Sequence, residues 1–166
     1  MKTQTERIAR PGVFILCAMA LGVLMVHPKP VPAQTNACAL LKAGDVAPLL
    51  GGTPTPAASP EKMVCTWKGA NAKRKLIVIA YKDMGVPGEA AFMGARSNAR
   101  EDKDIKTTDE TGIGERALSA QASFGAFFIV LKNGRMLQLQ YWTGGQGTVQ
   151  DVATLRPIVK KAVAAF

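Results

Sequence analysis

Four carboxylates sit near loop-like stretches: Asp83, Asp109, Glu110 and Glu115. Two of them facing each other across a cleft, about 5–9.5 Å apart, would suit glycoside hydrolysis, one as acid and the other as base or nucleophile. Nothing in their spacing along the chain requires that pairing, and Glu115 is the first choice only by position. Imidazole chemistry does not compete. His27 is the only histidine of the 166 residues, and it lies in an N-terminal leader. Without it there is no Ser-His-Asp or Cys-His nucleophile and no imidazole-ligated zinc or copper. Carboxylate, lysine or tyrosine chemistry remains, or binding without turnover. No cofactor and no metal site is expected.

Two groups read as binding sites. Trp142, Gln138 and Gln140 fall on one face of an alternating segment, with Met136. If no helix covers them, an aromatic beside amides suits a small ligand or glycan. The plainer alternative is a Trp142 packed under a helix. Gly144, Gly145 and Gly147 form a glycine-rich turn ahead of a helix, where backbone N–H groups can hold an anion. No Gly-Lys-Ser/Thr ending accompanies them, and a connection needing positive φ explains the glycines as well. Lys73-Arg74-Lys75 and the group Arg96, Arg100, Lys103 and Lys106 are basic, with Asp102 and Asp104 interleaved in the second. Both read first as solvated faces.

The compartment follows from residues 1–33. Lys2, Arg7 and Arg10 precede an uncharged apolar run over 13–26, and Val31-Pro32-Ala33 supplies small residues at a signal-peptidase site before Gln34. The run is about 14 residues, short of the roughly 20 that a membrane span needs. A cleaved secretory signal is expected, and no membrane span after cleavage. A retained anchor and a lipid anchor on Cys17 are the alternatives. The protein is then extracytoplasmic, periplasmic or secreted.

Residues 34–166 make a single domain of 133 residues (166 less 33). Taking Lys2, Arg7, Arg10 and Lys29 from 21 basic residues, and Glu6 from 12 acidic ones, leaves 17 against 11. The mature charge of about +6 suits anionic envelope polymers or lipid headgroups, or simply solubility. Nucleic acid is not expected as a partner in this compartment. Cys38 and Cys65 are the two cysteines left after cleavage. An even count in an oxidising compartment points to a disulfide, and the spacing is not the Cys-x-x-Cys of redox pairs.

The elements that must carry these residues read as follows. A short turn leads from Cys38 into a helix that starts near Asp45, with Pro48 in its first turn, and stops at Gly51-Gly52. Residues 53–60 are a Pro-rich loop and 63–68 a strand. Residues 75–82 are a near-continuous apolar run, expected as a central strand covered on both faces. Pro87-Gly88-Glu89 opens a helix to about Ala99, with Phe92, Ala95 and Ala99 on one stripe. Residues 107–115 read as loop and 116–120 as a short strand. Strands over 124–132 and 135–142 flank Asn133-Gly134, a type I′ turn signal. A last helix opens with Thr148 and Asp151 as a capping box and buries Val152, Leu155, Val159, Val163 and Phe166. The class is α+β, in the order α-β-β-α-β-β-β-α, with helices packed on a mainly antiparallel sheet.

Cys38-Ala39-Leu40-Leu41, Asp45-Val46, Leu49-Leu50-Gly51-Gly52, Cys65-Thr66-Trp67 and Gly112-Ile113-Gly114-Glu115-Arg116-Ala117 follow one another in that order. The order resembles a family of small secreted proteins and lipoproteins known only as a domain of unknown function. The likeness spans about residues 37–166. That family usually has Thr where this chain has Lys42. The resemblance implies an α/β sandwich similar to PsbP-like domains with the two cysteines bridged, and it carries over no activity and no functional residue. Two functions follow as expectations. One is a non-enzymatic binding or accessory domain acting on an unknown envelope component or small ligand. The other is a carboxylate-dependent hydrolase of envelope polysaccharide.

Overall fold

The computed structural model describes residues 36–81 and 87–166. The expected leader and cleavage site fall on residues 1–35, which with Asp83 lie outside the described residues. A 3₁₀ turn, Ala37–Leu40, precedes α1 (Ala43–Leu50). Then come β1 (Thr55–Ala58), β2 (Val64–Lys68), β3 (Lys75–Ala80), α2 (Gly88–Glu101) and β4 (Lys106–Glu110). β5 (Arg116–Ala122), β6 (Gly125–Lys132), β7 (Arg135–Trp142) and α3 (Val149–Ala165) complete the chain. The strands form one antiparallel sheet in the order β1-β2-β3-β7-β6-β5-β4. The α+β class holds, with seven strands where the sequence suggested five.

The two added strands are the two edges of the sheet, and this explains why they read as loop. β1 (Thr55-Pro56-Ala57-Ala58) is exposed at every position. β4 (Lys106-Thr107-Thr108-Asp109-Glu110) has no apolar residue at all. A strand with one neighbour and solvent beside it buries too little to show alternation. The same residues guard the edges: a proline in β1 and charges in β4 discourage pairing with another chain.

β3 differs from expectation in its faces. It is central, between β2 and β7, but only Leu76, Val78 and Ala80 are buried. Lys75, Ile77 and Ile79 are half-buried, so one of its faces is open. α1 also begins earlier than expected. Ala43 is its first residue, Pro48 lies past the first turn, and the Asp45 carboxylate accepts the Lys42 N–H at 2.9 Å.

Two cores flank the sheet. On one face α1, α3 and the 3₁₀ turn pack Val46, Leu50, Leu155 and Val159 onto Cys65, Trp67, Val78, Phe128 and Leu139. The Cys38–Cys65 disulfide ties the 3₁₀ turn to β2 within this core. On the other face α2 sets Phe92 and Ala99 against Leu118, Ile129, Leu131 and Met136. α3 buries its expected stripe, and Ile158 and Ala162 with it. Its N-terminus carries the capping box: Thr148 Oγ1 accepts from the Asp151 N–H, and Asp151 accepts from the Thr148 N–H. At its other end Lys132 and Arg135 donate to the Val163 and Phe166 carbonyls, where the helix dipole favours cations. The β6–β7 turn has Asn133 at φ 51° and Gly134 at φ 68°, the left-handed pair the Asn-Gly signal calls for.

Candidate functional site

The α2 face of the sheet is only partly covered. α2 packs its apolar side onto β5 and β6, and on β7 its buried partners stop at Met136. Beyond that point the cross-strand rows Thr66–Ile77–Gln140 and Lys68–Lys75–Trp142 continue along the same face. Thr66, Ile77, Gln140, Lys75 and Trp142 are half-buried and Lys68 is exposed. The three residues singled out for ligand contact thus sit on one open strip of sheet. Gln138 is partly committed, because its Oε1 accepts the Tyr81 hydroxyl at 3.0 Å. Burial pushes the Tyr81 phenol up, so it keeps the proton it donates. The Gln140 amide has no hydrogen-bond partner among the described residues.

Trp142 is neither under a helix nor a free platform. Its ring stacks on Phe124, with centroids 4.5 Å apart and planes at 23°. The Lys75 ammonium lies 4.2 Å from the ring centroid. Lys75 and Gly125 face Trp142 from the two neighbouring strands, so Phe124 and Lys75 approach it from opposite flanks. The ring is therefore half-buried between these two side chains, and its Nε1 is buried without a hydrogen-bond partner among the described residues. Sequence reading missed Lys75 and Phe124 as neighbours of Trp142, and Ile77 as the neighbour of Gln140. Residues 76–81 are apolar without a break, so β3 carries no alternation to signal which of its faces stays open. Phe124 meets Trp142 only through the β6–β7 register.

The three loop glycines do different things. The Gly147 N–H donates to the Ala122 carbonyl at 2.8 Å, and a Cβ on Gly147 would lie 1.6 Å from the Gly125 carbonyl oxygen. Gly147 is there for close approach of two backbones. Gly144 adopts φ +84°, and the Lys73 side chain packs against it. The Gly145 N–H faces Thr143 Oγ1 at 3.4 Å, and a Cβ on Gly145 would meet open space. Two of the three amides thus have internal partners, and Asp151 already fills the helix N-terminus that an anion would use.

Asp109, Glu110 and Glu115 line one groove of about 310 Å³ with Phe92, Arg96 and Arg116. Each carboxylate there has a partner. Asp109 sits between Arg96 at 3.0 Å and Arg100 at 2.6 Å, which clamp α2 to β4. Glu110 pairs with Arg156 of α3 at 2.5 Å. Glu115 Oε1 accepts the Asn133 N–H at 2.7 Å. The Arg96 hydrogen bond, with those and the charge of Arg100 added, holds the Asp109 carboxyl below its usual range. Burial pushes Glu110 up, but hydrogen bonds from Arg156 and Ser119 and the nearby cations outweigh it, and the carboxyl stays below its usual range. A general acid must hold a proton near neutral pH, and these two do the reverse. Among the described residues no cluster of His, Cys, Asp and Glu could hold a metal ion.

Comparison of the chain with protein-family models, with characterised proteins and with solved structures finds no match. Among the described residues no helix is long and apolar enough to cross a membrane.

Proposed function

We propose that this chain is an exported, non-enzymatic binding or accessory domain that takes an envelope component or small ligand on the open half of the α2 face. The observation that carries the reading is the uncovered strip Thr66–Ile77–Gln140, with the Gln140 amide at its β7 end and half-buried Trp142 beside it. Buried sheet faces are normally covered, and a strip left half-exposed beside a free amide suits recognition. The Cys38–Cys65 disulfide supports an oxidising compartment. The motif order described above supports a small secreted domain.

The experiment is thermal denaturation with and without total envelope extract. Wild-type protein gains stability with extract by mass action, and Gln140→Arg does not. An equal gain in both proteins removes the strip from the binding surface. The hydrolase reading has the groove at Asp109, Glu110 and Glu115 in its favour and the ion pairs there against it. Product release from envelope polysaccharide by wild type, lost in Glu115→Gln, would reinstate it.

A further inference from the structure

The end of the sheet at the β2–β3 hairpin gathers cations and apolar side chains. Lys68, Lys73 and Arg74 are exposed there, and Lys75 lies over Trp142. Among the described residues none of the four has a carboxylate within ion-pair distance. Half-buried Phe124 in the β5–β6 turn and Trp142 at the end of β7 stack at this end. The loop after β7 packs Gly144 on Lys73 and leads to Val149, the first residue of α3. Val149 is 72 % exposed, the most exposed large apolar side chain among the described residues. Gly147, two residues before α3, donates its N–H to the Ala122 carbonyl at 2.8 Å and lies against the Gly125 backbone, which sets the start of α3 at this end of the sheet. The Asp151 carboxylate is turned onto the Thr148 N–H and hydroxyl.

We infer that this end docks on an anionic lipid bilayer surface. Cations beside an anionic leaflet each strengthen association roughly fivefold, and aromatic and aliphatic side chains among them sit at the headgroup boundary. A soluble polyanion would use the cations but leave Val149 in water, so Val149 favours the bilayer. The inference does not rest on ligand binding by the open half of the α2 face. It shares with that reading the location outside the cytoplasm and the Lys68–Lys75–Trp142 row, whereas Lys73, Arg74 and Val149 belong to this end alone.

The test is co-sedimentation of the exported protein, as recovered from the envelope, with vesicles of phosphatidylcholine alone or with about a third phosphatidylglycerol. Binding is expected on the anionic vesicles, weakened by salt. Lys73→Glu/Arg74→Glu lowers the partition coefficient by about 25-fold or more, and Val149→Ser lowers it several-fold. Lys62→Glu/Lys160→Glu, the same charge change ahead of β2 and in the second half of α3, leaves it unchanged. Circular dichroism checks that each variant folds. Equal binding to neutral vesicles, or no effect of the hairpin reversal, overturns the inference. Retention on soluble polyphosphate with no vesicle binding overturns it too and makes the partner a polymer. Thermal denaturation of Gln140→Arg with envelope extract reads the Thr66–Ile77–Gln140 strip, to which Lys73, Arg74 and Val149 do not belong.

Discussion

Glu115 Oε1 accepts the backbone N–H of Asn133 at 2.7 Å, joining the start of β5 to the β6–β7 turn 18 residues away. The Glu115 N–H also donates to the Leu131 carbonyl at 2.8 Å, so the residue holds this hairpin at two points. A candidate acid in the sequence is a support for the β6–β7 turn in the fold. Glu115→Ala is expected to cost about 1–2 kcal/mol, a charge-assisted hydrogen bond lost from a turn. Glu115→Gln keeps an acceptor and costs less. Urea unfolding of both variants checks this, and an unchanged midpoint in Glu115→Ala means the bond carries no stability.

The Cys38–Cys65 disulfide closes a loop that contains α1 and β1. With a sequence separation of 27, the chain-entropy model gives about 3.5 kcal/mol of stabilisation. Cys38→Ser/Cys65→Ser should lose most of that. β1, exposed at every position and paired only with β2, should lose its amide protection before β6 does. Hydrogen exchange on the reduced protein reads both, and uniform loss of protection would show that the bridge acts on the whole fold instead.

Acid should unfold this protein through three paired carboxylates. Asp45 is held below its usual range by the Lys161 hydrogen bond first, and Asp109 and Glu110 by their arginines. Their folded values lie below the unfolded ones of 3.8, 3.8 and 4.5. The stability they add is complete above those values and is lost as pH falls through the lower, folded ones. Urea midpoints should be level near neutral pH and fall steeply below about pH 4. Glu110, whose side chain is 10 % exposed, should matter most. Glu110→Gln should lower stability at neutral pH and flatten the acid limb. A variant whose acid limb parallels wild type would remove Glu110 from the account.

Gly145 and Gly147 separate a free loop position from a packed one. Gly145→Ala should change stability by less than about 0.5 kcal/mol, because nothing lies within 4 Å of the added methyl. Gly147→Ala must push β6 away at Gly125 and should cost about 1–3 kcal/mol or more. Equal midpoints for the two variants would mean that the loop shifts freely.

Several features were legible because they are local. The Asn133-Gly134 turn needs two residues that tolerate positive φ, and both adopt it. Thr148 and Asp151 cap α3 through atoms three residues apart, and the stripe from Val152 to Val163 follows helical spacing. Leu137, Leu139 and Tyr141 alternate because β7 is covered on that face. Other features depend on which segments meet. β1 and β4 have composition too polar or too proline-rich to announce a strand, and only their neighbours make them one. Ile77 and Ile79 are as apolar as buried residues, and α2's limited reach leaves them half-exposed. Glu115 became a turn support, and Trp142 was enclosed by Phe124 and Lys75, through sheet registers that bring distant residues together. The sequence by itself determined the class, the helix stripes, the tight turn and the pair of cysteines, because each rests on near neighbours. Only tertiary structure decided which face stayed open and which carboxylates were neutralised, because strand order and helix placement are non-local.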